Sequence, residues 1–145
     1  MTANLSHLQV NIDPAHASWY RELFAALGWP TIYDADGVLG VGPADGPSLW
    51  FVPQASAAEN DYDGRGVNHI ALAADSVDEV DAAAAYLASR RVPALFDTPR
   101  HRPEFAMGPA HTYYQVMFAT PDRLLFEVVY SGPFAGGSES SQARS

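Results

Sequence analysis

Three side chains of the types that bind metal ions occupy distinctive places in this sequence. His7 and His69 each lie near the start of a segment of alternating apolar residues, SHLQVNID and NHIALAAD, that closes on an aspartate. Glu127 is the only charged residue in the apolar run LLFEVVY, where a carboxylate is costly unless it is paired or bound to a cation. Two imidazoles and one carboxylate are the ligands of an open site for one divalent ion, such as Fe²⁺, Mn²⁺, Zn²⁺, Ni²⁺ or Co²⁺.

The two histidine segments belong to an internal repeat that must position these side chains. Each segment is followed at once by a helical pattern and then by short β-like segments, so each half is predicted to be β-α-β-β-β. Asp13 and Pro14 should begin the first helix and Gly28 end it, while Ser76 and Glu79 form a capping-box pattern for the second. We expect a single domain over residues 1–134, with module one at about 3–53, a linker at 54–65, module two at about 66–131, and a disordered tail at 135–145.

Side chains alternate between the two faces of a strand, and this alternation predicts where the histidines point. His7 shares a face with Gln9 and Asn11, whereas the apolar residues between them should meet the helices. By the same reasoning His69 shares a face with Ala71 and Ala73. If both sheets curve around a common axis, the repeat would bring His7 and His69 to face each other in a cup.

Composition narrows the classes of function. The chain has no cysteine, so thiolate ligands are excluded and histidine, aspartate and glutamate are the strong metal ligands that remain. A formal net charge of −9 argues against nucleic acid as a partner. The sequence has neither an apolar run long enough to cross a membrane nor a signal-peptide pattern at its start, so we expect a cytoplasmic protein with no membrane partner.

Three segments resemble the vicinal oxygen chelate superfamily, the group of glyoxalases, bleomycin resistance proteins and extradiol dioxygenases. They are SHLQVNIDPAHASWYRELFAALGWP, GVNHIALAADSVDEVDAAAAYLASRRV and TPDRLLFEVVY. The resemblance implies an α+β fold in which two βαβββ modules form a curved mixed β-sheet cup. It also implies that His7, His69 and Glu127 bind a metal whose open positions chelate an oxygen-rich small-molecule substrate, and it makes a homodimer plausible.

One departure from the family is informative. Aligning PSLWFV with LLFEVV places Trp50 opposite Glu127, where enzymes similar to glyoxalase I have a second glutamate ligand. Because indole cannot bind a metal or accept a proton, this position disfavours glyoxalase I chemistry and favours the three-ligand branches, the extradiol dioxygenases and fosfomycin resistance proteins. Trp50 is instead predicted to be a wall of the substrate pocket, with core packing as the alternative.

Other residues are candidates for substrate binding and acid–base chemistry. Tyr33, Gln9 and Phe105 join Trp50 as predicted substrate contacts, and His111, Tyr113 and Tyr114 are candidate catalytic groups. The second half is longer than the first, and the surplus falls near TPRHRPEFAMGPAH, which we interpret as a flap over the pocket; an exposed connection or a dimer contact are the alternatives.

These features favour a metal-dependent enzyme that chelates a small oxygen-rich substrate, with a ring-cleaving, dioxygenase-like reaction as the first hypothesis. Two alternatives stay open. One is a metal-free binding protein similar to the bleomycin resistance group, which the acidic charge and the aromatic residues would suit. The other is a glyoxalase-like lyase or isomerase.

Overall fold

Both halves of the chain fold into the same order of elements. The computed structural model describes residues 1–134, so the predicted disordered tail at 135–145 lies outside the described residues. The first half contains β1 (His7–Ile12), a 3-10 turn (Pro14–His16), α1 (Ala17–Ala26), β2 (Thr31–Ala35), β3 (Val38–Val41) and β4 (Ser48–Pro53). The second contains β5 (His69–Ala73), α2 (Val77–Ser89), β6 (Leu95–His101), a 3-10 turn (Pro103–Phe105), β7 (His111–Ala119) and β8 (Leu125–Pro133). The predicted α+β class and its two βαβββ modules are confirmed.

The two sheets share one topology. Their strand orders are β1-β4-β3-β2 and β5-β8-β7-β6, with the first strand of each half parallel to the last and the remaining pairs antiparallel. In register, Gln9 pairs with Trp50, and Ala71 pairs with Glu127. Each pair lies two residues beyond its histidine, so Trp50 and Glu127 are structural counterparts, as the alignment of the sequence predicted.

The chain forms two compact units that do not follow the repeat completely. The first unit comprises residues 1–65 together with the turn Thr120–Leu124, and the second comprises residues 66–119 and the chain from Leu125. The turn that joins β7 to β8 is therefore part of the first unit. The boundary between Arg65 and Gly66 falls at the end of the predicted linker, while the assignment of one domain to residues 1–134 stays a prediction.

Local sequence signals determine where the elements start and stop. Asp13 caps the 3-10 turn by accepting a hydrogen bond from the Ala15 amide at 2.9 Å, so the regular α-helix begins at Ala17, three residues later than expected. Ser76 accepts from the Glu79 amide at 3.2 Å, as the capping box predicted. Asp36 and Gly37 both have positive φ, 54° and 76°, which is the conformation of a tight hairpin turn.

Each helix packs its apolar stripe on one face of its own sheet. In the first unit, Phe51 stacks on Tyr20 with ring centroids 4.4 Å apart and contacts Phe24 at 5.3 Å. In the second unit, Val80 and Leu87 of α2 are buried, as are the apolar residues of β7 and β8. The opposite faces carry the polar residues of β1 and β5, as the alternation predicted. Within residues 1–134, no helix is long and apolar enough to cross a membrane.

Candidate functional site

A histidine–glutamate pair lies on the face of the second sheet that is opposite α2. His69 begins β5, and Glu127 lies in the neighbouring strand β8 with its Oε2 at 3.0 Å from His69 Nε2. The Glu127 side chain is 2% exposed, whereas that of His69 is 37% exposed. The pair therefore joins a buried carboxylate to an imidazole that solvent reaches, which is the accessibility that an ion or substrate would need.

The orientation of His69 fits a cation between the two groups. Its Nδ1 lies 2.8 Å from Asn68 Oδ1, so Nδ1 donates to Asn68, and the other ring nitrogen, Nε2, faces the carboxylate. Two electron-rich atoms 3.0 Å apart require a proton or a metal ion between them. Two ligand atoms about 2.1 Å from one ion and roughly at right angles would be about 3 Å apart. The pair and its Asn68 support thus fit two ligands of a divalent metal.

Three further side chains surround the Glu127 carboxylate. The buried Gln115 amide lies between Glu127 Oε1 and Arg102 Nη1. Because carboxylate only accepts and guanidinium only donates, the amide nitrogen must face Glu127 and the amide oxygen must face Arg102, at 3.1 Å. Tyr113 also donates to Glu127, and burial together with this hydrogen bond raises the pKa of Tyr113 to about 12. Tyr113 therefore keeps its proton at neutral pH.

The third predicted ligand lies in the first unit. His7 begins β1 on the exposed face, with its Nδ1 at 3.4 Å from Ser6 Oγ. Among residues 1–134, no group of three or more histidine, aspartate and glutamate side chains is arranged to hold one metal ion. The structure therefore brings together His69 and Glu127, and the participation of His7 stays a prediction.

The predicted substrate contacts of the first unit form a row across its sheet. Strand pairing places Tyr33 beside Gly40, Gly40 beside Trp50, and Trp50 beside Gln9, all on the face away from α1. The Tyr33 and Trp50 rings lie 5.8 Å apart, and Trp50 Nε1 donates to Ser48 Oγ at 3.0 Å. A Cβ atom added at Gly40 would come within 3.0 Å of the indole, so glycine allows Trp50 to lie flat on the sheet.

The predicted catalytic residues do not all share one face of β7. Tyr113 contacts Glu127, and His111 lies two residues earlier on the same face. Tyr114 points to the other side, where its hydroxyl donates to Asp81 of α2 at 2.7 Å. Burial and this hydrogen bond raise the pKa of Tyr114 to about 12. Only two of the three candidates therefore lie on the face that carries His69 and Glu127.

The predicted flap meets this cluster through Arg102 and Phe105. The Arg102 guanidinium carbon lies 4.8 Å above the Phe105 ring, whose edge contacts the Tyr113 ring at a centroid distance of 5.6 Å. Phe105 itself is 53% exposed, so it is available to a ligand. Two residues of the site, Gln115 and Gly40, were not predicted from the sequence. The signal for Gln115 was its spacing of two from Tyr113, which places both side chains on one face of β7.

Comparisons with known proteins agree with this architecture. The family model of the Glyoxalase/Bleomycin resistance protein/Dioxygenase superfamily matches residues 5–128. No curated protein sequence matches the chain.

Solved structures with a similar fold superpose on most of this chain. A candidate glyoxalase from Bacillus halodurans superposes with a TM-score of 0.71 at 25% identity, covering 87% of this chain and 94% of that one. A fosfomycin resistance protein from Listeria monocytogenes, complexed with Mn(II) and sulfate, superposes with a TM-score of 0.63 at 22% identity, covering 88% and 90%. A lactoylglutathione lyase from Agrobacterium tumefaciens gives 0.59 at 16% identity, covering 89% and 94%.

Proposed function

Because the chain belongs to the glyoxalase, bleomycin resistance protein and dioxygenase superfamily, we propose that it is a metal-dependent enzyme that chelates a small, oxygen-rich substrate. The observation that carries this proposal is the contact of His69 Nε2 with the buried Glu127 Oε2 at 3.0 Å. A buried carboxylate is costly unless it is paired or bound to a cation, and the imidazole nitrogen beside it is a second ligand type for a divalent metal. The Mn(II) in the fosfomycin resistance structure is consistent with a divalent ion on this fold.

His7 is the proposed third ligand, supplied by the same chain or by a second copy in a homodimer. It occupies in the first repeat the place that His69 occupies in the second, at the start of the strand that pairs in parallel with the last. Its imidazole is exposed on the polar face of β1. A divalent ion bound by these residues would act as a Lewis acid on the substrate oxygens, and iron would also allow oxygen activation.

The row of Tyr33, Trp50 and Gln9 is the proposed support for a planar substrate. Aromatic faces stack on flat ligands, and the Gln9 amide offers a donor and an acceptor at one end of the row. A planar substrate with two neighbouring oxygens is a catechol-like ring. This preference, together with Trp50 in place of a second glutamate, favours a ring-cleaving, dioxygenase-like reaction over a glyoxalase-like lyase or isomerase.

Tyr113 and His111 are the proposed acid–base groups. With its pKa raised to about 12, the Tyr113 hydroxyl stays protonated, and its proton would turn from Glu127 to a substrate oxygen that gains negative charge. His111 lies on the same face of β7 and could accept or return a proton. We do not extend this role to Tyr114, because its side chain lies on the α2 side of the sheet, away from His69 and Glu127.

A metal-free binding protein similar to the bleomycin resistance group is the second candidate. Two observations favour it: the Tyr33 and Trp50 pair would contact a flat ligand without a metal, and Glu127 already has protein partners in Gln115, Tyr113 and His69. The net charge of −9 would suit a cationic ligand. This candidate differs from the enzyme in requiring no metal at all.

Metal analysis distinguishes the two candidates. The metal content of the chain, purified without chelator and again after reconstitution, is compared with that of the variants His7→Ala, His69→Ala and Glu127→Ala. His101→Ala is the matched control, because His101 contacts Thr112 and not the residues around Glu127. About one equivalent of a divalent metal, retained in the control and lost in the three variants, is the expected result, and it is followed by oxygen uptake with catechols. A chain that takes up no metal, yet binds a cationic aromatic drug, contradicts the enzyme proposal.

A further inference from the structure

A continuous chain of polar contacts links the flap to the proposed metal ligand. Arg102 donates to the Gln115 amide oxygen at 3.1 Å, and the Gln115 amide nitrogen donates to Glu127 Oε1. The other carboxylate oxygen, Oε2, faces His69. Gln115 and Glu127 are both buried, at 3% and 1% exposure, so water does not compete for these contacts.

We propose that Gln115 is a positioning residue that makes Glu127 a ligand through one oxygen only. The inference rests on the proposed metal site. Because Gln115 occupies Oε1, only Oε2 is directed to the place that His69 Nε2 also faces. A glutamate without this restraint can rotate about its terminal torsion, which is soft, and can approach an ion with both oxygens or with neither.

Arg102 gives the Gln115 amide its direction. A glutamine amide can turn over and exchange its oxygen and nitrogen, but the guanidinium accepts no hydrogen bond, so it holds the oxygen on its own side. Arg102 is itself fixed by Glu104 Oε1 at 2.6 Å and by its backbone amide, which donates to the Tyr113 carbonyl at 2.7 Å. The base of the flap thus takes part in orienting a metal ligand without contacting the metal.

The test uses Mn(II) as the probe and two variants of similar size, Gln115→Leu and Gln115→Met. Groups that orient metal ligands contribute roughly 10- to 100-fold to metal affinity, so we expect the Mn(II) dissociation constant, measured from the resonance signal of free Mn(II), to rise by about that factor. The control is Thr112→Val, in the same strand but facing the other side, where Thr112 is 2% exposed and contacts His101. It should lower thermal stability while leaving Mn(II) affinity unchanged.

Infrared spectroscopy provides a second readout that a purely structural role would not move. The separation of the symmetric and antisymmetric carboxylate stretches depends on whether one or both oxygens bind the ion. With Glu127→Gln as the blank, the Mn(II)-induced difference spectrum should change from the one-oxygen to the two-oxygen pattern, or weaken, in both Gln115 variants.

The outcomes separate this inference from the proposed function. If the unmodified chain binds Mn(II) and both Gln115 variants bind it equally well with an unchanged spectrum, Gln115 has no positioning role and the metal site stands. If the unmodified chain binds no Mn(II), the proposed metal site fails, and the positioning role fails with it. Weaker Mn(II) binding in both Gln115 variants, with unchanged affinity in Thr112→Val, supports the inference.

Discussion

Removing the buried hydroxyl of Tyr20 should destabilise the fold. The residue is fully buried, and its hydroxyl contacts Thr120 Oγ1 at 2.9 Å and donates to Asp122 Oδ2 at 2.8 Å. In Tyr20→Phe, Thr120 Oγ1 still accepts from the Leu124 amide, but its own hydroxyl proton loses the Tyr20 oxygen as acceptor, and Asp122 Oδ2 loses the Tyr20 hydroxyl as donor. Hydrogen bonds to charged groups contribute about 1.5–3 kcal/mol, so we expect a loss of about 2 kcal/mol in the free energy of unfolding.

For a chain of this length, that loss corresponds to a decrease of roughly 4–8 °C in melting temperature. Urea denaturation followed by circular dichroism measures it, and the dependence of the unfolding free energy on urea should not change. Tyr33→Phe is the control, because Tyr33 is 41% exposed, whereas Tyr20 is fully buried. A double-mutant cycle with Asp122→Asn should give a coupling energy above about 1 kcal/mol. A loss below about 0.5 kcal/mol in Tyr20→Phe would refute the assigned hydrogen bonds.

Three further perturbations test other parts of the structure. Gly40→Ala should displace the Trp50 indole, because the new Cβ would approach it to 3.0 Å, and overpacking of this kind costs about 1–3 kcal/mol. The tryptophan fluorescence should change, whereas Gly40→Ala in a Trp50→Phe background, which retains Trp19 and Trp29, should leave it unchanged. Tyr113→Phe should lose less stability than the unmodified chain in urea titrations between pH 10 and 12. The pKa of Tyr113 is raised to about 12 in the folded chain, so its stabilising contribution is complete below the ordinary tyrosine pKa and is lost as the pH rises toward 12. Equal losses of unfolding free energy in the variant and the unmodified chain would contradict this. Ser76→Ala should cost about 1 kcal/mol through loss of the helix cap, and Ser76→Thr should recover most of it in the same denaturation assay.

Much of the fold could be predicted because short-range signals determine it. Ser76 and Glu79 predicted the start of α2, and the alternation after His7 predicted which face of β1 is exposed. Each of these signals acts over a few residues, so the sequence contains it in full. The repeat aligned Trp50 with Glu127, and the two residues occupy equivalent positions in the two parallel strand pairs.

The parts that could not be predicted depend on partners far away in the sequence. Tyr20 is fully buried, and its hydroxyl contacts Thr120 and Asp122, about a hundred positions later in the chain. Gln115 was missed for the same reason, since its importance comes from Arg102 and Glu127 on other strands. For the adjacent pair Tyr113 and Tyr114 the sequence was sufficient, because the alternation of side chains along a strand allows only one of the two to face the site.

The turn Thr120–Leu124 limits how this protein can be divided by genetic engineering. A gene cut at the boundary between Arg65 and Gly66 would separate the repeats, but it would leave the shorter product without the residues that contact the Tyr20 hydroxyl. The two products would be complementary fragments instead of independent mini-proteins. Coexpression of both, with the turn supplied by the longer one, is therefore the form in which a split version should retain the buried tyrosine.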